Sequence, residues 1–106
     1  MATIGIFTAK DTSFEGFIET LTLRAKLTIE PARKNSGNQP DYRVFHVTES
    51  FKSEIGAAWK KTTRGEYLSV SIDDPSFAAK AYCRLVRSGT GESYTLFWDR
   101  PRPDQD

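Results

Sequence analysis

One short segment of the chain combines the side chains that hold single-stranded nucleic acid in small β-barrels. Trp59, Lys60, Lys61, Arg64 and Tyr67 lie within nine residues. Barrels that bind single strands stack bases on aromatic rings and follow the phosphate backbone with basic side chains. The segment therefore predicts a nucleic-acid-binding surface. The alternative is that the tryptophan belongs to the core, the tyrosine pairs across a hairpin, and the lysines keep an exposed strand edge from aggregating.

Two more cations are predicted to extend this surface. Arg24 and Lys26 lie on the polar face of a stretch in which polar and apolar residues alternate. Residues 24–64 hold nine basic and four acidic side chains, although the formal net charge of the whole chain is only +1. Such a local excess attracts phosphate, and it is equally compatible with solvated strand faces. Single-stranded nucleic acid is therefore the first candidate partner.

Few residues of the chain could carry out catalysis. His46 is the only histidine and Cys83 the only cysteine, so a nucleophile–base pair would have to use both. Neither has neighbours at the spacing of metal ligands. Asp73 and Asp74 are adjacent, so they point to opposite faces of an extended chain, and Asp74 before Pro75 favours a turn. We expect no enzymatic activity and no metal or other cofactor.

The elements that must position these side chains are strands. Leu68, Val70 and Ile72 alternate with polar residues, which is the period of a half-buried strand. This strand is predicted to be the second of a hairpin whose tip lies at Thr62–Gly65. Ile55, Ala57 and Trp59 are predicted to share one face of the first strand. A second alternating set is predicted to meet this strand in one core: Leu21, Leu23, Ala25, Leu27 and Ile29.

The strand carrying this second set is predicted to be long. The run Phe14–Glu30 has no glycine or proline after Gly16, so we expect one strand that bends across two halves of a sheet, with a bulge or strong bend near Gly16. Pro31–Asp41 is a loop rich in proline, glycine and asparagine. Ser88–Gly91 is too short, and lacks the lysine and helix, to be a phosphate-binding loop, so we interpret it as a hairpin turn.

The segment near residues 75–87 can be interpreted in two ways. Asp74 and Pro75 could cap a helix over Phe77–Arg87, whereas a strand would place Ala81, Cys83 and Leu85 on one face. The strand is favoured. The chain then forms an all-β fold of about seven short strands, mainly antiparallel, in a small barrel or sandwich. Residues 1–98 are expected to form this single domain, and residues 99–106 a flexible tail.

Composition limits the environment and suggests a second kind of partner. No apolar run approaches the roughly 18 residues of a membrane span, and the first residues lack the pattern of a secretory signal. We therefore expect a cytoplasmic protein without membrane contact. Two tryptophans, four tyrosines and seven phenylalanines are many for one thin core. Some could line a homodimer interface or bind a protein partner, which makes a protein-interaction module the alternative function.

Five stretches of the chain resemble a known family. They are ATIGIFT, SFEGFIETLTLRAKLTIEP, QPDYRVF, EIGAAWKKTTRGEYLSVSIDDPSF and SYTLFWDR. In this order and spacing they resemble the domain-of-unknown-function family 736, small proteins of proteobacteria that are often encoded on plasmids and integrative conjugative elements. The resemblance runs from about Ala2 to Arg100. It implies a bacterial accessory protein of a mobile element, and it implies no established activity or catalytic residues.

Overall fold

The computed structural model describes residues 2–89 and 91–100, and these residues form eight strands and no helix. None of them builds a helix with the length and hydrophobicity needed to span a bilayer. The strands in chain order are β1 (Ala2–Lys10), β2 (Ser13–Glu19), β3 (Arg24–Pro31), β4 (Tyr42–Val47), β5 (Lys52–Lys61), β6 (Tyr67–Ile72), β7 (Ala81–Arg87) and β8 (Ser93–Trp98).

The eight strands close into an up-and-down barrel. Each strand pairs antiparallel with the next, and β1 also pairs with β8. Inward-facing apolar side chains from all eight strands fill the interior, as the alternation of each strand requires. The most deeply buried of the large ones are Phe7, Leu27, Ile29, Ile72, Leu85 and Leu96. The predicted all-β antiparallel fold is confirmed.

Two local predictions are also confirmed. The hairpin tip lies between Lys61 of β5 and Tyr67 of β6, which pair with each other. The segment after Asp74 forms a strand and no helix: β7 buries Cys83 and Leu85. Before β7, the carboxylate of Asp74 accepts hydrogen bonds from the backbone amide and the hydroxyl of Ser76, at 2.9 and 2.5 Å. This interaction stabilises the turn and lowers the pKa of Asp74 from its usual value.

The prediction of one long strand over Phe14–Glu30 is wrong. The chain turns back after Glu19, β2 pairs with β3, and the amide of Thr20 donates to the carbonyl of Leu23 at 2.8 Å. Leu21 therefore lies at a turn and is fully exposed (103%), although the alternation predicted it in the core. The error arises because the turn has no glycine or proline, and because the apolar period of β3 continues through it by chance.

The predicted bulge at Gly16 is also wrong, since both ladders of β2 run without a shift. Gly16 instead permits a close crossing, because a Cβ there would clash with the carbonyl oxygen of Ile6. Register shifts occur in β1, where Ile4 is the extra residue, and in β5, where Ile55 is. Ile55 packs against the core, whereas Ala57 and Trp59 lie on the outer face of β5. The prediction that all three residues share one face is therefore wrong.

Closure of the barrel bears on self-association and on the C-terminal boundary. No described strand presents an unpaired edge, so uncovered edges give no reason to dimerise, and the homodimer remains a prediction from the exposed aromatics alone.

Most of the predicted tail, residues 101–106, lies outside the described part. Asp99 donates its amide to the carbonyl of Tyr82, and its carboxylate pairs with Arg84 at 2.8 Å.

Candidate nucleic-acid interface

The strand alternation of the hairpin brings three predicted site residues together on the outer wall of the barrel. Ala58 and Leu68 point inward and are buried at 0% and 8% exposure. Trp59, Lys61 and Tyr67 therefore point outward, and Lys61 lies opposite Tyr67. Trp59 is half-buried but is not a member of the core cluster. The alternative of a core tryptophan is thus wrong, while the cross-hairpin pairing of the tyrosine is present. We name these three residues the hairpin face.

The other two cations of the hairpin lie at the open end of the barrel. Lys60 follows the inward phase of β5, opposite Leu68, but its side chain is exposed. Arg64 lies in the turn with φ 61°, in the left-handed region, followed by Gly65 at φ 98°. Among the described residues, neither Lys61 nor Arg64 takes part in an ion pair. Both charges are therefore available to an anionic ligand.

The loop between β3 and β4 is attached to this hairpin. The indole Nε1 of Trp59 donates to the carbonyl of Asn38 at 3.4 Å. The carboxylate of Asp41 accepts from the amide of Lys60 at 2.8 Å and from the Nζ of Lys34 at 2.8 Å. The amide of Asp41 in turn donates to the carbonyl of Ala58 at 2.9 Å. These bonds orient the indole ring and hold a basic loop beside the hairpin face.

Asp41 gives the attachment a pH dependence. The hydrogen bond from Lys34, followed by the one from the Lys60 amide, lowers the pKa of Asp41 below its ordinary value of 3.8. A lowered folded-state pKa contributes stability that is present above pH 3.8 and is lost as the pH falls through the folded pKa. The loop should therefore be attached most firmly at neutral pH.

Asp41→Asn should lower the free energy of unfolding at neutral pH by about 1 kcal/mol, because the charged partner of Lys34 is removed. The difference from the unmodified protein should shrink at acid pH, once the pH has fallen from 3.8 through the lowered folded-state pKa of Asp41 and both proteins carry an uncharged side chain. Urea unfolding at the two pH values measures it. Glu54→Gln is the matched control, because it breaks the more exposed ion pair with Arg43. Equal losses at both pH values would contradict this role of the Asp41 charge.

The structure does not bring Arg24 and Lys26 to the hairpin. Pro31, at the end of β3, pairs with Tyr42, which pairs with Ala58, so only that end of β3 approaches the hairpin. Arg24 begins the strand, about 23 Å away at about 3.3 Å per residue. Its guanidinium carbon lies 4.2 Å from the centre of the Phe17 ring. Phe17 in turn is paired with Lys26.

Sequence reasoning missed the contribution of the β3–β4 loop. Its basic residues, Arg33 and Lys34, were counted in the charge excess of residues 24–64 but were assigned to no surface. The loop reaches the hairpin through Asn38 and Asp41. A shallow cavity of about 300 Å³ lies where this loop meets β5, lined in part by Lys34, Asp41 and Lys60. Only the asparagine- and proline-rich composition signalled an ordered, hydrogen-bonded loop there.

The residues considered for catalysis lie apart. His46 is on β4 and Cys83 on β7, with two strands between them. Cys83 is 2% exposed, and burial raises the pKa of its thiol to about 12, which disfavours the nucleophilic thiolate. The described residues contain no group of three side chains that could hold a metal ion. The lack of enzymatic activity stays a prediction.

Family membership is decided by the extent of the match. A family model described as "Protein of unknown function (DUF736)" matches residues 3–101. The chain belongs to the DUF736 family. The match runs from within β1 to beyond β8, so it covers nearly the whole barrel of this DUF736 protein. No curated protein and no solved structure matches the chain significantly. The roles of individual DUF736 residues must therefore be argued from their geometry.

Proposed function

We propose that this DUF736 protein is a non-enzymatic accessory protein that binds single-stranded nucleic acid through the basic hairpin. The observation that carries the proposal is the hairpin face: two aromatic side chains and one lysine point outward from the same pair of strands. Aromatic rings beside cations are the common means of binding single strands without reading their sequence. A role in a bacterial mobile element is consistent with such binding and is part of the proposal.

The charges around the hairpin support an anionic ligand. Lys60, Lys61 and Arg64 project from the last residues of β5 and the turn, and all three are exposed. Lys34 and Arg33 lie on the loop that is attached to the hairpin, and Asp41 already pairs with Lys34. The remaining cations can therefore approach phosphates without displacing a buried partner. A single strand fits better than a duplex because a base must be unstacked to lie against an aromatic ring.

A titration tests the proposal directly. Labelled single-stranded and duplex oligonucleotides should bind at low salt, with the single strand bound more tightly. If three cations each contact a phosphate, the logarithm of the association constant should fall with the logarithm of the salt concentration with a slope of about −2. Fluorescence anisotropy at several salt concentrations measures both quantities. Absence of binding at tens of micromolar protein contradicts the proposal.

A protein-interaction module is the second candidate function, and one observation favours it. At the barrel end opposite the hairpin, Leu21 is fully exposed and Phe51 is 60% exposed. Their turns flank the paired strands β3 and β4, so the two side chains lie at the same end of the barrel. Exposed apolar side chains at turn tips suit contact with another protein. This function predicts a partner recovered by pull-down whose recovery is lost in a Leu21→Ser, Phe51→Ser variant, with no salt-sensitive binding of oligonucleotides.

A further inference from the structure

A row of outward-facing side chains connects the hairpin with Lys26 around the far side of the barrel. Its members lie opposite one another in successive antiparallel ladders from β5 through β8 and β1 to β3. Between β6 and β7, Tyr67 and Val86 occupy the positions next to the pair of Leu68 and Leu85. We name this row the outer belt, and it consists of Lys61, Tyr67, Val86, Thr95, Ile6, Phe17 and Lys26.

The charges of the outer belt suit a polyanion. The row has a lysine at each end and contains no carboxylate. The nearest acidic neighbours on β2 are already paired: Glu15 with Lys10 at 3.3 Å, and Glu19 with Arg24 at 4.0 Å. A phosphate backbone that follows the row therefore meets cations at both ends and no unpaired carboxylate on β2.

The centre of the outer belt offers apolar surface at an open groove. Ile6 is 60% exposed and Phe17 is 41% exposed, which is unusual for paired side chains in the middle of two strands. A groove of about 550 Å³ lies over them, with Lys26 on one side and Glu92 at the opposite rim. The Arg24 guanidinium lies over the Phe17 ring. Bases stack on both aromatic rings and guanidinium planes.

The outer belt is longer than the hairpin face. Six strand-to-strand steps of about 4.8 Å give a path of about 29 Å along the wall. Small barrels that bind single strands have binding sites of about 4 to 16 nucleotides. The hairpin face lies on one pair of strands, so it can contact only about four nucleotides, the lower end of this range.

We infer that the bound single strand continues from the hairpin along the outer belt, with bases against Ile6 and Phe17 and phosphates near Lys61, Lys26 and Arg24. This inference rests on the proposed function, and it assigns a second contact area to the same ligand. It also gives Arg24 and Lys26 a place in the site, although neither approaches the hairpin directly.

Oligodeoxythymidines of about 4 and about 12 nucleotides test the inference, because only the longer one can reach both areas. Phe17→Ala should weaken binding of the longer strand about tenfold and leave the shorter one unchanged. Phe45→Ala is the matched control: Phe45 also points outward with a cation stacked on it, Lys52 at 4.6 Å, but it lies outside the outer belt. It should change neither affinity.

The outcomes separate the two proposals. If Lys61→Glu weakens binding of both strands while Phe17→Ala and Phe45→Ala have equal effects, the hairpin binds and the outer belt is rejected. A circular-dichroism melt of each variant establishes that the barrel is folded, and Lys26→Glu provides a second variant at an exposed position. It should weaken the longer strand only. If neither oligonucleotide binds the unmodified protein, both proposals are overturned.

Discussion

Val70→Ala should lower the free energy of unfolding by about 2–4 kcal/mol. Val70 is 1% exposed and lies in the core cluster between Ala58 and Cys83 on the adjacent strands. Both cross-strand neighbours are small, so neither can fill the space that the two lost methyl groups leave. The cavity therefore adds to the loss of buried apolar surface. Urea unfolding, monitored by tryptophan fluorescence, measures the change.

Leu21→Ala is the control for this prediction, since it removes a larger apolar side chain from a position that alternation also assigned to the core. Leu21 is fully exposed at the β2–β3 turn, so its removal should change stability by less than about 0.5 kcal/mol. Leu23 is only partly buried and should give an intermediate loss. A loss at Leu21 as large as that at Val70 would contradict the exposed position of Leu21 at the β2–β3 turn.

The contrast between these leucines shows what local sequence can and cannot determine. Alternation correctly identified the buried face of β3, where Ala25, Leu27 and Ile29 point inward. It could not locate the turn before β3, because Thr20–Leu23 contains no residue that favours a turn strongly. The eighth strand follows from that turn, and closure of the barrel from the ladder between β1 and β8. They depend on pairing between distant strands, which no local pattern encodes.

The candidate site was predictable to a similar extent. Alternation in β6 separated Tyr67 from the buried face of Leu68, Val70 and Ile72, and the structure pairs Tyr67 with Lys61 across the hairpin. The shift at Ile55 reversed the phase of β5, so the outward position of Trp59 could not be obtained by counting from Ile55. The relation of Lys26 to the hairpin required the registers of six ladders. Such long-range registers are set by the whole core and by turn geometry.

The Lys60→Glu, Lys61→Glu double variant should bind single-stranded oligonucleotide at least about tenfold more weakly at low salt. It should also reduce the magnitude of the salt slope by about 1.4, about 0.7 for each lost phosphate contact on a single strand. The barrel should remain folded, because the backbone amide at position 60 still donates to Asp41 and both side chains are exposed. Thermal unfolding verifies this. Any loss of binding can then be attributed to the charges.

A matched reversal separates local charge from net charge. Lys80 and Arg100 are exposed at the opposite end of the barrel, so the Lys80→Glu, Arg100→Glu variant changes the net charge equally and should bind almost normally. Arg64→Gly supplies an independent variant: it removes one cation and places glycine at φ 61°, where a side chain is strained. Its stability should be maintained while the magnitude of its salt slope falls by about 0.7. If both double variants lose affinity equally, the ligand responds to net charge and the hairpin has no specific role.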